Sequence, residues 1–268
     1  MITALDSANL KLIRVSEHIK AIKRYRRGYA RRKPHKILTD AKGKETADIS
    51  KAPPHDIAII AGEALYQLRS TLDHLAFDLV KLNATRIQLP SNWQKRCEFP
   101  LLTCVPTKGN PPVPCKLPLP YNYFSNILPG ITKTAFAFIE SLQPYNKGSA
   151  SVIRTPTILG WLANLSNIDK HRHLSVIETN LSHSEVLTTT HGTISVARSG
   201  LKHGAEIQPR VRPQPYPTVN VKRRFTVYIA FKEPSIANGT MFSVQEVLQF
   251  CLQAIKKDII PAFAQLLK

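Results

Sequence analysis

The chain has 268 residues, 43% of them hydrophobic, which is enough to bury a core as one large domain or two small ones. Its 37 Lys and Arg residues against 18 Asp and Glu give a formal net charge of +19, and an excess of this size attracts polyanions. Nucleic acid is the expected partner, and an anionic membrane surface comes second. The four cysteines are too few for a disulfide framework, and no stretch has the roughly 18 consecutive apolar residues of a membrane-spanning helix. These features exclude a disulfide-rich secreted protein and favour a cytoplasmic one with reduced thiols.

The first predicted element is an amphipathic helix over residues 3–30. Its apolar residues recur at alternating steps of three and four, as a core-facing stripe requires: Leu5, Ala8, Leu12, Val15, Ile19 and Ile22. The helix runs into "KRYRRGYARRKPHK", where Tyr25 and Tyr29 are interleaved with cations. Guanidinium groups bind phosphate and exposed tyrosines stack on bases, so we predict a nucleic-acid-binding face. Its cations are Lys23, Arg24, Arg26, Arg27, Arg31 and Arg32. The alternative is a solvated helix end that the helix dipole favours.

After Pro34 the sequence predicts two short strands joined at Lys42 and Gly43, then a second helix over residues 56–82. The stripe of that helix comprises Ile57, Ala61, Leu65, Leu68, Leu72, Leu75 and Leu79. Prolines crowd residues 90–129, which we expect to form an irregular surface excursion without its own core. A short helix follows over 132–143. Another begins at Thr155, which we expect to cap it, with Pro156 in the first turn.

From residue 174 to about 231 short β-branched segments predict an antiparallel sheet, and the last helix should kink at Pro261. The predicted fold class is α+β: a helical bundle from the N-terminal half and the C-terminal helix, with an inserted antiparallel β-sheet. We expect one domain over 1–268. Its helical part is 1–173 and 241–268, and its sheet part is 174–233.

A cluster of chemically active side chains lies on the second helix, in "RSTLDH". Arg69 and Asp73 share one flank of the helix, where they can pair, and His74 points towards the other. A second polar cluster, "NLSNIDKHRH", places Asn167 and His171 at helical spacing together with Asn164. We expect the two helices to pack side by side so that both clusters line one cleft. The alternatives are a surface salt bridge on one helix and a hydrogen-bond network that fixes the helix pairing.

Two resemblances arise from these motifs. The order "GEALYQLRSTLDHL", "FPL", "SLQPY" and "NLSNIDKHRHL" resembles a widespread group of uncharacterised prokaryotic proteins over most of the chain. More locally, "RSTLDH" is similar to the R-x4-6-H signature of the HEPN superfamily of helical-bundle ribonucleases and nucleotide-binding proteins. HEPN members usually have a strongly polar residue after the arginine, and here Ser70 follows.

The HEPN resemblance implies metal-independent RNA cleavage, often in a site that a second subunit completes, and therefore a homodimer. It implies His74 or His171 as the base and Arg69 as the ligand of the scissile phosphate, with Asp73 orienting one of them. Lys170 and Arg172 would assist Arg69. The candidate catalytic residues are Arg69, Asp73, His74, Asn167 and His171, and the candidate RNA-binding set gains Lys170 and Arg172. No metal or cofactor is expected.

Two other functions compete with the ribonuclease. A divalent-metal site could use carboxylate and imidazole ligands, namely Asp73, His74, Asp169, His171 and His173, although no familiar metal motif spaces them. A non-catalytic nucleic-acid-binding or interaction module would use the basic surface alone, and its polar clusters would then be structural.

Overall fold

Helices dominate the part of the chain that the computed structural model describes. The described residues are 3–42, 45–49, 51–84, 88–89, 91–102, 127–146, 154–171, 176–189, 192–201, 220–231 and 242–268. They fall into two units: the first comprises Met1–Lys20, Ile60–Leu174 and Gln245–Lys268, and the second comprises Ala21–Ile59 and Ser175–Val244. Residues 21–59 cluster with Ser175–Val244, and the predicted bounds of the helical and sheet parts stay predictions. The organisation as one domain stays a prediction.

The described helices of four or more residues follow the predicted order, except that the short helix Trp93–Arg96 falls in the stretch that was expected to be irregular. They are α1 Ala4–Arg31, α2 Asp56–Ala84, α3 Trp93–Arg96, α4 Lys133–Ser141, α5 Thr155–His171, α6 Val244–Ala254 and α7 Ile260–Leu266. The ends of α1, α2 and α4 lie within about two residues of the predicted ones, which is the ordinary uncertainty of a helix boundary. The mainly helical character is confirmed.

The apolar stripes of the two long helices form the core that their spacing predicts. All seven stripe residues of α2 are buried, and so are all those of α1 except the half-buried Leu5. Burying a leucine or isoleucine side chain contributes roughly 1.5–3 kcal/mol. Both helices are therefore stabilised mainly by packing and not by their intrinsic propensity.

The C-terminal helix changes its hydrogen-bond pattern before Pro261. Residues Ile255–Ile259 form a π-helical segment in which the Ile260 N–H donates to the Ile255 carbonyl. A proline has no N–H and its ring crowds the carbonyl four residues back, here that of Lys257. The wider π turn accommodates the proline ring and its missing N–H, and the kink at Pro261 stays a prediction.

Threonine side chains at the N-termini of α4 and α5 make different hydrogen bonds. At α4 the Thr132 hydroxyl accepts a hydrogen bond from the Ala135 N–H at 3.2 Å, which is a regular cap. At the start of α5 the Thr155 hydroxyl donates to the carboxylate of Asp258, a partner distant in sequence. The predicted capping role of Thr155, in which its oxygen would accept a backbone N–H, stays a prediction.

Both described ends of the proline-rich stretch are anchored in the first unit, against the expectation of a surface excursion. Phe99 and Leu128 are fully buried, and the rings of Phe99 and Phe263 lie 6.3 Å apart. The Trp93 ring stacks on Phe77 of α2 at 5.1 Å. Residues 103–126, which include the run "NPPVPCKLPLP", lie outside the described residues.

The second unit contains the strands. Strands β1 His35–Thr39 and β2 Glu45–Ile49 pair antiparallel, as predicted, while the expected turn residue Gly43 lies outside the described residues. Strand β3 Val176–Thr189 pairs antiparallel with both β4 Gly192–Leu201 and β5 Asn220–Phe231. Lys33, just after α1, has a φ of +47°, a left-handed conformation that reverses the chain towards β1.

Candidate functional site

Polar side chains join α1 and α2 along one seam of the first unit. Three contacts cross it: the Ser7 hydroxyl lies 3.2 Å from His74 Nδ1, Lys11 Nζ donates to Ser70 Oγ at 2.9 Å, and His18 Nδ1 lies 3.5 Å from a Glu63 carboxylate oxygen. Between successive contacts the residue number rises on α1 by the same amount as it falls on α2, by four and then by seven. The two helices are therefore antiparallel neighbours with one constant register.

Arg69 lies on a different flank of α2, within a cluster of two carboxylates. Its guanidinium is 3.4 Å from Asp73 and 3.6 Å from Glu98, and only 14% of its side chain is exposed. Asp73 also accepts a hydrogen bond from the Phe99 N–H at 2.9 Å. The predicted Arg69–Asp73 pair is confirmed. Together these contacts attach the segment after α3 to α2.

The cluster has a local charge that does not suit phosphate. One guanidinium faces two carboxylates, so Arg69, Asp73 and Glu98 together carry a net negative charge when all are ionised. A phosphodiester bound to Arg69 would have to compete with both carboxylates for the same guanidinium. The arrangement is that of a nearly buried arginine held by its partners, which fits a structural role for the cluster.

His74 is exposed and occupies the side of α2 that faces α1. Although the residue is exposed, partial desolvation of its ring lowers its pKa and the nearby Lys11 lowers it further, while Asp73 and Asp78 act in the opposite direction. The imidazole is accordingly neutral at pH 7, as a general base must be. Arg69 and His74 are five residues apart, however, which turns them by about 140° around the helix. They point to different neighbours and not to a common phosphate.

The packing of α5 on α2 separates the two predicted polar clusters. A Cβ atom built on Gly62 would lie 2.7 Å from Asp169 Oδ1, so α5 approaches α2 closely at Gly62. Gly62 and His74 are twelve residues apart along α2, so roughly 18 Å of helix axis lies between them. His171 follows Asp169 by two residues and is exposed. The two helices are neighbours as expected, but the structure does not bring His171 to His74.

The remaining predicted residues on α5 are mostly at the surface. Asn164 is half-buried, whereas Asn167 and Lys170 are exposed; Arg172 and His173 lie outside the described residues. Within the described part of the chain, no group of three or more His, Cys, Asp or Glu side chains is placed to hold a metal ion. As far as the described residues show, His74 and His171 do not meet in one cleft and no metal site is formed.

A cleft of about 600 Å³ opens beside Asp73. Its other lining residues are Lys95, Arg96, Cys97, Glu98 and Ile127. Burial, followed by the charges of Asp73 and Glu98, raises the pKa of Cys97 to about 12. The thiol therefore stays protonated at neutral pH and is not an activated nucleophile. Sequence reasoning missed this cleft because its residues form no motif around Cys97.

The predicted nucleic-acid face lies at the end of α1, in the second unit. Its cations are exposed, apart from the half-buried Arg26: Lys23, Arg24, Arg27, Arg31 and Arg32. None of these six side chains forms an ion pair with a described carboxylate. The expectation of two exposed tyrosines is wrong for Tyr29, which is buried and whose hydroxyl donates to the Lys51 carbonyl. Tyr25 is half-buried.

Comparisons with known proteins add no assignment. No protein-family model matches the chain, and searches of curated proteins and of solved structures find no match either. Both resemblances and the homodimer stay predictions. Among the described residues, no helix combines the length and the apolar character needed to cross a bilayer.

Proposed function

We propose that this protein binds nucleic acid, with RNA as the expected ligand, through the basic end of α1. The observation that carries the proposal is the row of accessible cations from Lys23 to Arg32 that no described carboxylate neutralises. Such side chains release condensed counterions when they contact phosphates, which supplies most of the affinity of non-specific nucleic-acid binding. The net charge of +19 supports the same choice of ligand.

The proposal includes the inserted sheet. Strands β3, β4 and β5 would form the antiparallel module predicted between the last two helical regions of the chain. The sequence of strand β5 contains Lys222, Arg223 and Arg224, which makes this strand the next candidate for nucleic-acid binding if the end of α1 is not the binding surface. In this view the helical part serves as a scaffold, and its Arg69 cluster is structural.

An endoribonuclease remains the second candidate, and a particular observation favours it. His74 is exposed, its pKa is lowered, and it shares the α1–α2 seam with Lys11. A neutral imidazole could remove the 2′-hydroxyl proton while an ammonium offsets the charge on the phosphorane. Lys11 would then take the part that the HEPN resemblance assigns to Arg69.

Binding as a function of salt tests the first candidate. We expect the affinity for single-stranded RNA to fall steeply with salt, and the variant Arg26→Ala, Arg27→Ala, Arg31→Ala, Arg32→Ala to flatten the log–log slope by about 3. A matched control removes four exposed lysines elsewhere: Lys133, Lys256, Lys257 and Lys268. If both variants lose affinity equally, the binding surface is not at the end of α1. Binding to phosphatidylserine vesicles without binding to RNA would make a membrane surface the ligand.

Cleavage in EDTA tests the second candidate. Wild-type protein and His74→Ala are incubated with end-labelled RNA, and the products are examined for 2′,3′-cyclic phosphate. Loss of the general base should slow cleavage by roughly 10²–10⁴-fold while leaving affinity nearly intact. Binding without cleavage by the wild type, with or without added metal, would leave only the first candidate.

A further inference from the structure

A small pocket lies in the basic end of α1, within the second unit. It has a volume of about 220 Å³. Its lining residues are Arg24, Tyr25, Gly28, Tyr29, Arg32 and Pro54. Ligand pockets for whole drug-sized molecules usually measure roughly 300–1,000 Å³, so this one suits a single ring system.

Gly28 creates the space. Residues 24, 28 and 32 are spaced by four, which places Gly28 between Arg24 and Arg32 on one side of α1. A Cβ atom added to Gly28 would meet nothing within 4 Å. A glycine inside a helix costs about 1 kcal/mol relative to alanine, and no close neighbour requires it here. What the glycine does provide is an opening between two guanidinium groups.

The walls of the pocket are held in place by contacts within the unit. Tyr29 is buried, and its hydroxyl donates to the Lys51 carbonyl. The carbonyl of Pro54 accepts a hydrogen bond from the Ile57 N–H at 3.2 Å, which fixes Pro54 at the start of α2. The pocket is thus formed before a ligand arrives, and binding loses little conformational entropy.

We infer that this pocket receives one unstacked base of a single-stranded nucleic acid. The aromatic and proline walls offer apolar surface to a planar ring, and stacking on aromatic side chains accepts any base. Arg24 and Arg32 flank the opening and are exposed, so each can bind a phosphate on one side of the inserted base. The inference rests on the proposed function, and it adds a preference for single strands over duplexes, whose bases stay stacked.

Filling the pocket without changing its charge tests this subsite. Gly28→Leu places a side chain in the opening, and leucine favours a helix, so the variant should melt no lower than wild type. We expect its affinity for an unstructured, labelled RNA to fall on the order of 10-fold, with an unchanged salt slope. Its affinity for duplex RNA of the same length should not change. Gly28→Ala, which adds only one methyl group, is the control and should bind single strands nearly as well as wild type.

The outcomes separate the subsite from the basic face. If Gly28→Leu binds single strands like wild type while the four-arginine variant loses affinity, the base subsite is wrong and the proposed function stands. An equal loss for single strands and duplexes would mean that the leucine only obstructs the surface, which also overturns the subsite. If the wild type binds no RNA of either kind, both proposals fail. A loss confined to single strands, together with normal melting of the variant, supports the subsite.

Discussion

The contact between Gly62 and Asp169 is open to a quantitative test, because a single methyl group should report whether α2 and α5 touch there. A Cβ atom on Gly62 would lie 2.7, 3.0 and 3.1 Å from Asp169 Oδ1, Oδ2 and Cγ, all too close. In a helix interior, alanine is favoured over glycine by about 1 kcal/mol. Overpacking costs about 1–3 kcal/mol, with a cost towards the lower end here because the atoms in the way are the carboxylate end of the exposed Asp169 side chain. Gly62→Ala should therefore lose the gain expected of alanine or destabilise the protein by up to about 1 kcal/mol.

Gly62→Ala should have the opposite effect on stability once the Asp169 carboxylate is removed. In an Asp169→Ala background the new methyl group has room, so Gly62→Ala should stabilise by about 1 kcal/mol. The two substitutions should therefore couple by about 1–2 kcal/mol in a double-mutant cycle. Gly160→Ala is the control in the same unit, because its Cβ would make only an ordinary contact of 3.4 Å with Pro144, and it should stabilise the protein in either background.

Urea unfolding followed by tryptophan fluorescence is the suitable assay. Both tryptophans of the chain, Trp93 and Trp161, lie in the first unit, so fluorescence reports the unfolding of the unit that contains this contact. A Gly62→Ala variant as stable as Gly160→Ala, with no coupling to Asp169, would refute the packing of α2 on α5 at this point. The register of α5 on α2 that separates His74 from His171 would then also be wrong.

Three further predictions concern the polar groups of the first unit. Arg69→Met should lower the free energy of unfolding by about 2 kcal/mol without changing RNA affinity, because Asp73 and Glu98 lose the cation between them. A loss of affinity at unchanged stability would instead place Arg69 in contact with the ligand. Burial lowers the pKa values of His18 and His74 below 6.5, so the unfolded chain binds protons at higher pH and stability is lost as the pH falls below that value. The double variant His18→Gln, His74→Gln should lose less stability than wild type between about pH 7 and pH 5, and an equal loss in urea titrations would contradict this. Cys97, with a pKa of about 12, should react with iodoacetamide at pH 8 on the order of 1,000-fold more slowly than an ordinary thiol, as measured by peptide mass spectrometry. A reaction rate like that of an ordinary thiol would contradict the burial of its side chain.

The sequence by itself determined the helices and their buried faces. Apolar residues at steps of three and four predicted α1 and α2 to within about two residues, together with the central apolar stripe of each, although Ala64, Ala76 and Val80 are buried as well. The physical reason is that the period of a helix is a local property, and the side on which the leucines recur must be buried whatever the partner is. The sequence also predicted the exposed basic run at the end of α1, because charged side chains stay in water unless a partner pairs with them.

Only the tertiary structure decided which polar groups meet. Arg69 was expected to bind phosphate, but its guanidinium pairs with the carboxylates of Asp73 and of Glu98, which is distant in sequence. His171 was expected beside His74, but the close approach at Gly62 sets the register of α5 on α2 and leaves them apart. Such contacts join residues 29 to 107 positions apart, and helical periodicity, which repeats every 3.6 residues, carries no information about them. The pocket around Gly28 likewise needs Pro54, which the fold and not the local pattern brings to α1.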